Sequence, residues 1–232
     1  MPLNVFPDQL HLGCGRFAPE GWLNTDGSWH VWLARWPFLK KMALWTGILP
    51  RVHKQQPWPV SILHLNLRRP LPFPDNRFTA VYASHVLEHL YRSEALSLLQ
   101  ELRRCCRPGG IVRMAVPNLA YHVESYRQGV ISPRAPGNSP ADTLMHRLHM
   151  RSAAPAESGF WPLKWYHLLL DFNSHKWCYD RESLLVLFRE AGFAHPEERA
   201  VLDSRIPAID RIEMATQIGG GSTVIVEAEK QV

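Results

Sequence analysis

Short apolar runs divide the chain into seven candidate strands with helices between them. Residues 8–12 form an apolar run that ends at Gly13 and Gly15, the pattern of a buried strand entering a tight turn. Gly21 to Asp26 predicts a second strand closing on an acid. Val60 to Leu65 and Phe78 to Ser84 predict the third and fourth. Ile111 to Val116 predicts the fifth, stopped by Pro117 and Asn118. Between the fourth and fifth, Ser93 to Arg104 carries Ala95, Leu96, Leu98, Leu99 and Leu102 at helical spacing. Pro108-Gly109-Gly110 is expected to end that helix and turn the chain. Asp180 to Ala191 predicts an amphipathic helix with Gly192 as its stop. Residues 195–203 and 222–229 predict two final strands with no helix between them, so one is expected to run antiparallel. Strands alternating with helices imply a doubly wound, mostly parallel sheet.

Two stretches break this rhythm. Residues 28–59 are rich in Trp and bounded by Pro50, Pro57 and Pro59, which predicts one or two short amphipathic helices. Residues 118–178 are irregular, with a helix expected near 141–151. Residues 1–232 are read as a single domain, with 28–59 and 118–178 as insertions forming a lid or substrate cap. Trp29, Trp32, Trp36 and Trp45 could cover a ligand, stack on a sugar, rest on a membrane with Arg35, Lys40 and Lys41, or pack an extra hairpin.

Composition narrows the partners. The chain of 232 residues is 46% hydrophobic and 20% charged, enough to bury a sizeable core. Its net charge of +5 suits anionic partners, although such a balance also arises by chance. No block of five or six Lys/Arg occurs, which argues against a nucleic-acid-binding tail. The four cysteines, Cys14, Cys105, Cys106 and Cys178, match neither a zinc pattern nor a disulfide framework. Reduced thiols in the cytoplasm are the default expectation. The N-terminus lacks a signal-peptide pattern. The longest apolar stretch, Val31 to Pro50, is interrupted by Arg35, Lys40 and Lys41, so no spanning helix is expected.

Candidate chemistry gathers at strand ends. Gly13-Cys14-Gly15 allows a ligand to approach the backbone closely. A dinucleotide fingerprint would need a third glycine where Ala18 stands, and a more distant acid than Asp26, eleven residues after Gly15. Asp26 can accept both hydroxyls of a ribose, or can cap a turn. Asn66 can meet an adenine edge, or can serve a turn before Leu67. Ser84-His85-Val86-Leu87-Glu88-His89 follows the fourth strand, where ligand crevices lie in such folds. There His85 is assigned to the site, while Glu88 and His89 are expected to cap the next helix. His175 could face the reacting group or be a structural histidine, and His167 lies in the same insertion. His146 and His149 could share a helix face, but no third ligand is evident, so no metal is expected. Arg205 could bind an anion or sit at the surface.

These residues resemble the class I S-adenosylmethionine (SAM)-dependent methyltransferases. More narrowly, they are similar to small methyltransferases associated with polysaccharide and glycan biosynthesis. The resemblance rests on Leu-His-Leu-Gly-Cys-Gly (10–15), Gly-Trp-Leu-Asn-Thr-Asp (21–26), Arg-Pro-Leu-Pro-Phe-Pro-Asp-Asn (69–76), Ser-His-Val-Leu-Glu-His-Leu (84–90), Arg-Pro-Gly-Gly (107–110) and Val-Pro-Asn (116–118). His-Lys-Trp-Cys-Tyr-Asp (175–180), Glu-Ala-Gly-Phe (190–193) and Ser-Arg-Ile-Pro (204–207) extend it in order. It implies an α/β, Rossmann-like, doubly wound and mostly parallel seven-stranded sheet, with one antiparallel strand near the C-terminus and helical insertions.

The resemblance also implies SAM as cofactor and S-adenosylhomocysteine as product. Gly13, Cys14 and Gly15 would lie against the methionine part, Asp26 and Gly27 at the ribose, Asn66 and Leu67 at the adenine, and Ser84 and His85 near the sulfonium. His11 stands where many such enzymes carry an acid, Asn66 replaces the more usual Asp, and the first helix must shrink to about a turn. The expected reaction is O-methylation of a sugar or another small hydroxylated metabolite, with His85 as base and His175 as second candidate. The expected partner is a small-molecule or glycan acceptor, with nucleic acid disfavoured. A membrane-surface enzyme acting on a lipid-linked acceptor and a non-catalytic SAM-binding module are the alternatives.

Overall fold

The computed structural model describes residues 7–45, 58–129, 139–150, 174–218 and 221–231. Seven strands form one sheet: β1 (Gln9–Leu12), β2 (Leu23–Asp26), β3 (Leu63–His64), β4 (Phe78–Ser84), β5 (Cys106–Pro117), β6 (Glu197–Glu198) and β7 (Thr223–Glu229). Their order across the sheet is β3-β2-β1-β4-β5-β7-β6. The pairs from β3 to β5 are parallel, and β7 runs antiparallel to both β5 and β6. This is the Rossmann-like, mostly parallel sheet with one antiparallel strand that the sequence pattern implies. The parallel order reverses direction at β1 and β4, so their carboxyl ends flank the crevice where such sheets bind ligands.

Alternation along β4 assigns the two faces. Phe78, Val81 and Ala83 enter the main core with Leu98, Leu99 and Leu102 of α3 (Arg92–Cys105) and Leu184, Leu187 and Phe188 of α6 (Arg181–Glu190). Ala80 and Tyr82 face the other way, onto Trp22, Ile111, Ile206, Ile209 and Ile212. On that second face Arg113 is wholly buried. Its Nε and Nη2 donate to the two carboxylate oxygens of Glu213 at 2.9 and 2.7 Å, and Nη1 donates to Glu227 at 3.2 Å. The carbonyls of Asp203 and Ala200 accept its remaining hydrogen bonds.

Residues 28–59 and 118–178 contain α1 (Trp29–Ala34), α2 (Pro37–Trp45), α4 (Leu119–Arg127) and α5 (Pro140–Arg147). Several boundaries differ from expectation. The third strand shrinks to Leu63–His64, because Val60 and Ser61 are exposed and precede it in a turn. The sixth shrinks to Glu197–Glu198. A helical turn at Ile209–Arg211 and the short α7 (Ala215–Ile218) separate it from β7, so those two strands are not directly successive. Pro108-Gly109-Gly110 does not end α3, which passes straight into β5. Gly109 and Gly110 instead pair with the backbone of Lys230. Between β1 and β2, a turn closed by Phe17 N–H on the Cys14 carbonyl stands in place of a helix. No helix among the described residues is long and apolar enough to cross a membrane.

Candidate active site

The glycine turn after β1 is built for close backbone approach. Gly13 has φ 59°, in the left-handed region, and a Cβ there would meet Val86 Cγ2 at 2.4 Å. Gly15 has φ 57° and opens onto unfilled space. Its N–H donates to Asp26 Oδ2 at 2.9 Å, which ties the turn to the end of β2. Ser28 N–H donates to Asp26 Oδ1 at 2.7 Å, just before Ser28 caps α1. Burial raises the Asp26 carboxyl above its usual range, and the N–H bonds from Ser28 and Gly15 pull it back. Cys14 is buried in the same turn, and burial together with the Asp26 charge pushes its thiol up to about 12. Cys14 therefore contributes backbone and bulk, not a thiolate.

Asn66 follows β3, with its Oδ1 accepting from Arg68 N–H at 3.0 Å. It serves the turn, and the residue as a whole is exposed. Leu67 is half-buried against the main core. Gly27 lies close to the Leu65 carbonyl, which a Cβ would approach to 3.3 Å. The carboxyl ends of the neighbouring strands β1, β2 and β3 thus bring Gly13, Gly15, Asp26, Gly27 and Asn66 to one end of the sheet.

The end of β4 completes the arrangement. His85 has φ 55°, an uncommon conformation for a residue with a side chain. Its N–H donates to the Ala115 carbonyl at 2.9 Å, and its Nδ1 lies 3.0 Å from Glu88 Oε1. Glu88 is 1% exposed. Glu88 and His89 do not cap the next helix, contrary to expectation. Glu94 accepts from Tyr91 N–H at the start of α3, while Glu88 turns inward to His85. Only the closeness of His85 and Glu88 in sequence was an available signal, since His85 precedes the helical turn Leu87–His89 and its left-handed backbone brings the ring back to Glu88.

His175 joins from the far side of the chain. It is buried, its Nε2 stands 4.0 Å from Glu88 Oε1, and its ring meets that of His89 edge-on at 5.0 Å. Burial pushes His175 down to about 4, with the Glu88 charge acting in the opposite direction. His149 stacks on His175 at 5.0 Å and accepts its N–H at the backbone. His146 lies in the last turn of α5, and His149 lies just beyond that helix with its N–H donating to the His146 carbonyl at 3.1 Å. Arg205 donates to Glu227 and Glu229, beside the start of β5, which removes it from the crevice end. His167 lies outside the described residues.

Residues 10–114 match the model of a family described as a methyltransferase domain. The matched stretch is methyltransferase-like. It contains the glycine turn, Asp26, Asn66, His85 and Glu88, and stops within β5. Solved structures similar to this chain include a SAM-dependent methyltransferase of Thermotoga maritima, at 15% identity and TM-score 0.47, covering 98% of this chain and 85% of its own. Another is a SAM-dependent methyltransferase of Archaeoglobus fulgidus, at 15% identity and TM-score 0.46, covering 98% of this chain and 88% of its own. No curated protein matches the chain.

Proposed function

We propose that this protein is a SAM-dependent methyltransferase that methylates a hydroxyl of a sugar or another small hydroxylated metabolite. The family match over residues 10–114 supports the transferase reading. The carrying observation is local. A glycine turn locked to Asp26 lies against Val86, one residue from a His85–Glu88 pair at the end of the neighbouring strand. The residues fit the cofactor: Gly13 admits no Cβ, Gly15 leaves space beside it, and Asp26 keeps acceptor capacity beyond its two backbone bonds. Gly13, Cys14 and Gly15 would hold the methionine part, Asp26 and Gly27 the ribose, Asn66 and Leu67 the adenine, and Ser84 and His85 would border the sulfonium. SAM supplies the electrophilic methyl group.

The chain's own task is to orient an acceptor and remove its proton. Glu88 accepts from His85 Nδ1, which fixes the proton there and leaves Nε2 as the basic nitrogen. The His85 side chain is 41% exposed, so Nε2 can reach a bound hydroxyl. His175 is the second candidate for that role. Calorimetry should show SAM and S-adenosylhomocysteine binding, and labelled SAM offered with sugars and small alcohols should reveal the acceptor. His85→Ala should lower turnover by about 100-fold or more with SAM affinity intact. Lack of affinity for both nucleosides would overturn the cofactor reading, and full turnover in His85→Ala would overturn the base.

A second reading has its own observation. The α1–α2 hairpin exposes Trp32, Trp36, Phe38, Met42 and Trp45, with Arg35 and Lys41 also exposed. That surface suits an anionic membrane and a lipid-linked acceptor. Co-sedimentation with anionic liposomes, lost in the Trp32→Ser/Trp36→Ser double variant, would favour it over a dissolved acceptor.

A further inference from the structure

Glu88 poses an electrostatic problem that the methyltransferase chemistry does not solve. Its carboxylate is buried, yet among the described residues its ion-pairing partners are only His85 and His175. Oε2 is buried with no hydrogen-bond partner among them. His89 Nδ1, on the adjoining residue, is likewise buried and unpaired. A buried charge with an unsatisfied oxygen is costly unless a cation or strong donors meet it. The neighbours His85, His89 and His175 are imidazoles, a side chain that ligates metals through a ring nitrogen.

The side chains of Glu88, His89 and His175 offer one oxygen and two nitrogens whose ligand atoms all lie within 4.8 Å of one another. The geometry points to a site for a divalent transition-series cation, zinc first, held by Glu88, His89 and His175. Two imidazoles and one carboxylate form a donor set that suits zinc and its neighbours better than magnesium or calcium, which prefer all-oxygen surroundings. Bonds of about 2.0–2.2 Å would draw the three groups closer together on loading. Three protein ligands leave a coordination position for water or substrate. His85 shares the Glu88 carboxylate and so sits in the second layer, while His149 braces His175 by stacking.

The chain recruits this set from two distant places. The turn after β4 supplies Glu88 and His89, and the segment before α6 supplies His175. Backbone bonds fasten the two together: Lys176 N–H and Trp177 N–H both donate to the Glu88 carbonyl, at 2.6 and 3.3 Å. The lack of a third ligand near His146 and His149 in sequence is therefore no obstacle, because the set forms elsewhere. Binding of the cation stands independently of the methyltransferase reading, but its task rests on it. Beside His85, a bound cation would acidify an acceptor hydroxyl.

The test uses untagged full-length protein, stripped with chelator and dialysed. Zinc is titrated in competition with a chromophoric chelator, and cobalt is added separately for its visible absorption. One equivalent of zinc should bind with micromolar or tighter affinity, and cobalt should give the bands of a four- or five-coordinate site. Magnesium should not compete. Glu88→Gln and His175→Asn should each weaken zinc binding at least tenfold, and thermal melts will establish that each variant is folded. SAM affinity, measured on the same zinc-free samples, reports on the methyltransferase reading separately. Absence of saturable zinc binding would overturn the site, as would equal zinc binding in both folded variants, which would place the metal on surface histidines.

Discussion

At Gly13 two constraints coincide. The left-handed backbone disfavours any side chain, and Val86 Cγ2 already occupies the space a Cβ would enter, at 2.4 Å. Gly13→Ala must therefore shift either the turn or the start of the His85–Glu88 segment. We expect a stability loss of about 1–3 kcal/mol and at least tenfold weaker SAM binding, read by thermal melting and calorimetry. Gly15→Ala makes the contrast, because its Cβ would meet nothing within 4 Å and its cost is the left-handed backbone alone. His11, where an acid is common in the family the chain resembles, has a different task. It is buried, and its Nδ1 lies 3.0 Å from Asn24 Oδ1. Asn24 Nδ2 donates to the carbonyls of Pro19 and Trp22, so its oxygen faces His11 and Nδ1 carries the proton. Burial lowers the His11 pKa to about 4, against the raising effect of the hydrogen bond that His11 donates to Asn24 Oδ1. The unfolded chain binds this proton near pH 6.5, so the folded state loses stability as pH falls from about 6.5 toward 4. By pH 5 the loss from His11 should reach about 2 kcal/mol. Urea unfolding at pH 7 and pH 5 should show a shallower difference for His11→Gln than for the native chain. An identical difference would mean that other histidines carry the pH dependence.

The segment from His175 to Asp180 shows how one element serves several purposes. His175 faces Glu88, Tyr179 is buried in the main core and bridges to Asn118, and Asp180 caps α6. Asp180 Oδ1 accepts from Ser183 N–H at 2.8 Å, while Ser183 Oγ accepts from Asp180 N–H at 3.0 Å. Those bonds hold the Asp180 carboxyl below its usual range. Asp180→Ala should cost about 1 kcal/mol in urea unfolding, whereas Asp180→Asn should recover most of it; equal losses would mean the cap contributes little. This element also shows what the sequence makes legible. Helical periodicity located α6 and Gly192 located its stop, because both signals are local. The turn-rich stretch before it set the start of β4, which the structure places at the expected Phe78–Ser84, with His85 directly after its carboxyl end. The partnership of Glu88 with His175 was not legible, because 87 positions separate them and only the folded turn joins them. The ends of β3 and β6 were misplaced for a related reason. Ile62 is buried, yet its N–H bonds to the Pro59 carbonyl in the preceding turn, so burial begins before the pairing of β3 does; the predicted sixth strand is largely exposed and pairs only at Glu197–Glu198.

Across the whole molecule, one buried cation fastens the C-terminal segment to the sheet. Arg113 reads in sequence as an interruption of the apolar run Ile111 to Val116, yet it is completely buried. Its guanidinium grips Glu213 with two bonds, reaches Glu227 on β7, and meets the carbonyls of Ala200 and Asp203. Glu213 also accepts from Leu202 N–H, and Glu227 accepts from Ser204 and Arg205. Residues 200–213 thus close over Trp22, Ala80, Tyr82 and Ile111, with polar groups at the centre of an apolar face. Despite its burial, Glu227 is held below the usual carboxyl range by Ser204 and by the backbone and side chain of Arg205, with Arg113 adding its charge. Glu213 depends more on Arg113, since its other described hydrogen bond is the one from Leu202. Arg113→Met leaves that carboxylate buried without its cation and should cost about 3–5 kcal/mol. Adding Glu213→Gln removes the uncompensated charge and should restore more than half of the loss, while Glu227→Gln should restore less because Arg205 still meets that site. Urea unfolding of the single and double variants measures the coupling directly. If Glu213→Gln gives no rescue, the cost of losing Arg113 lies in the carbonyls of residues 200 and 203 instead, and the clamp acts through the backbone of the covering segment.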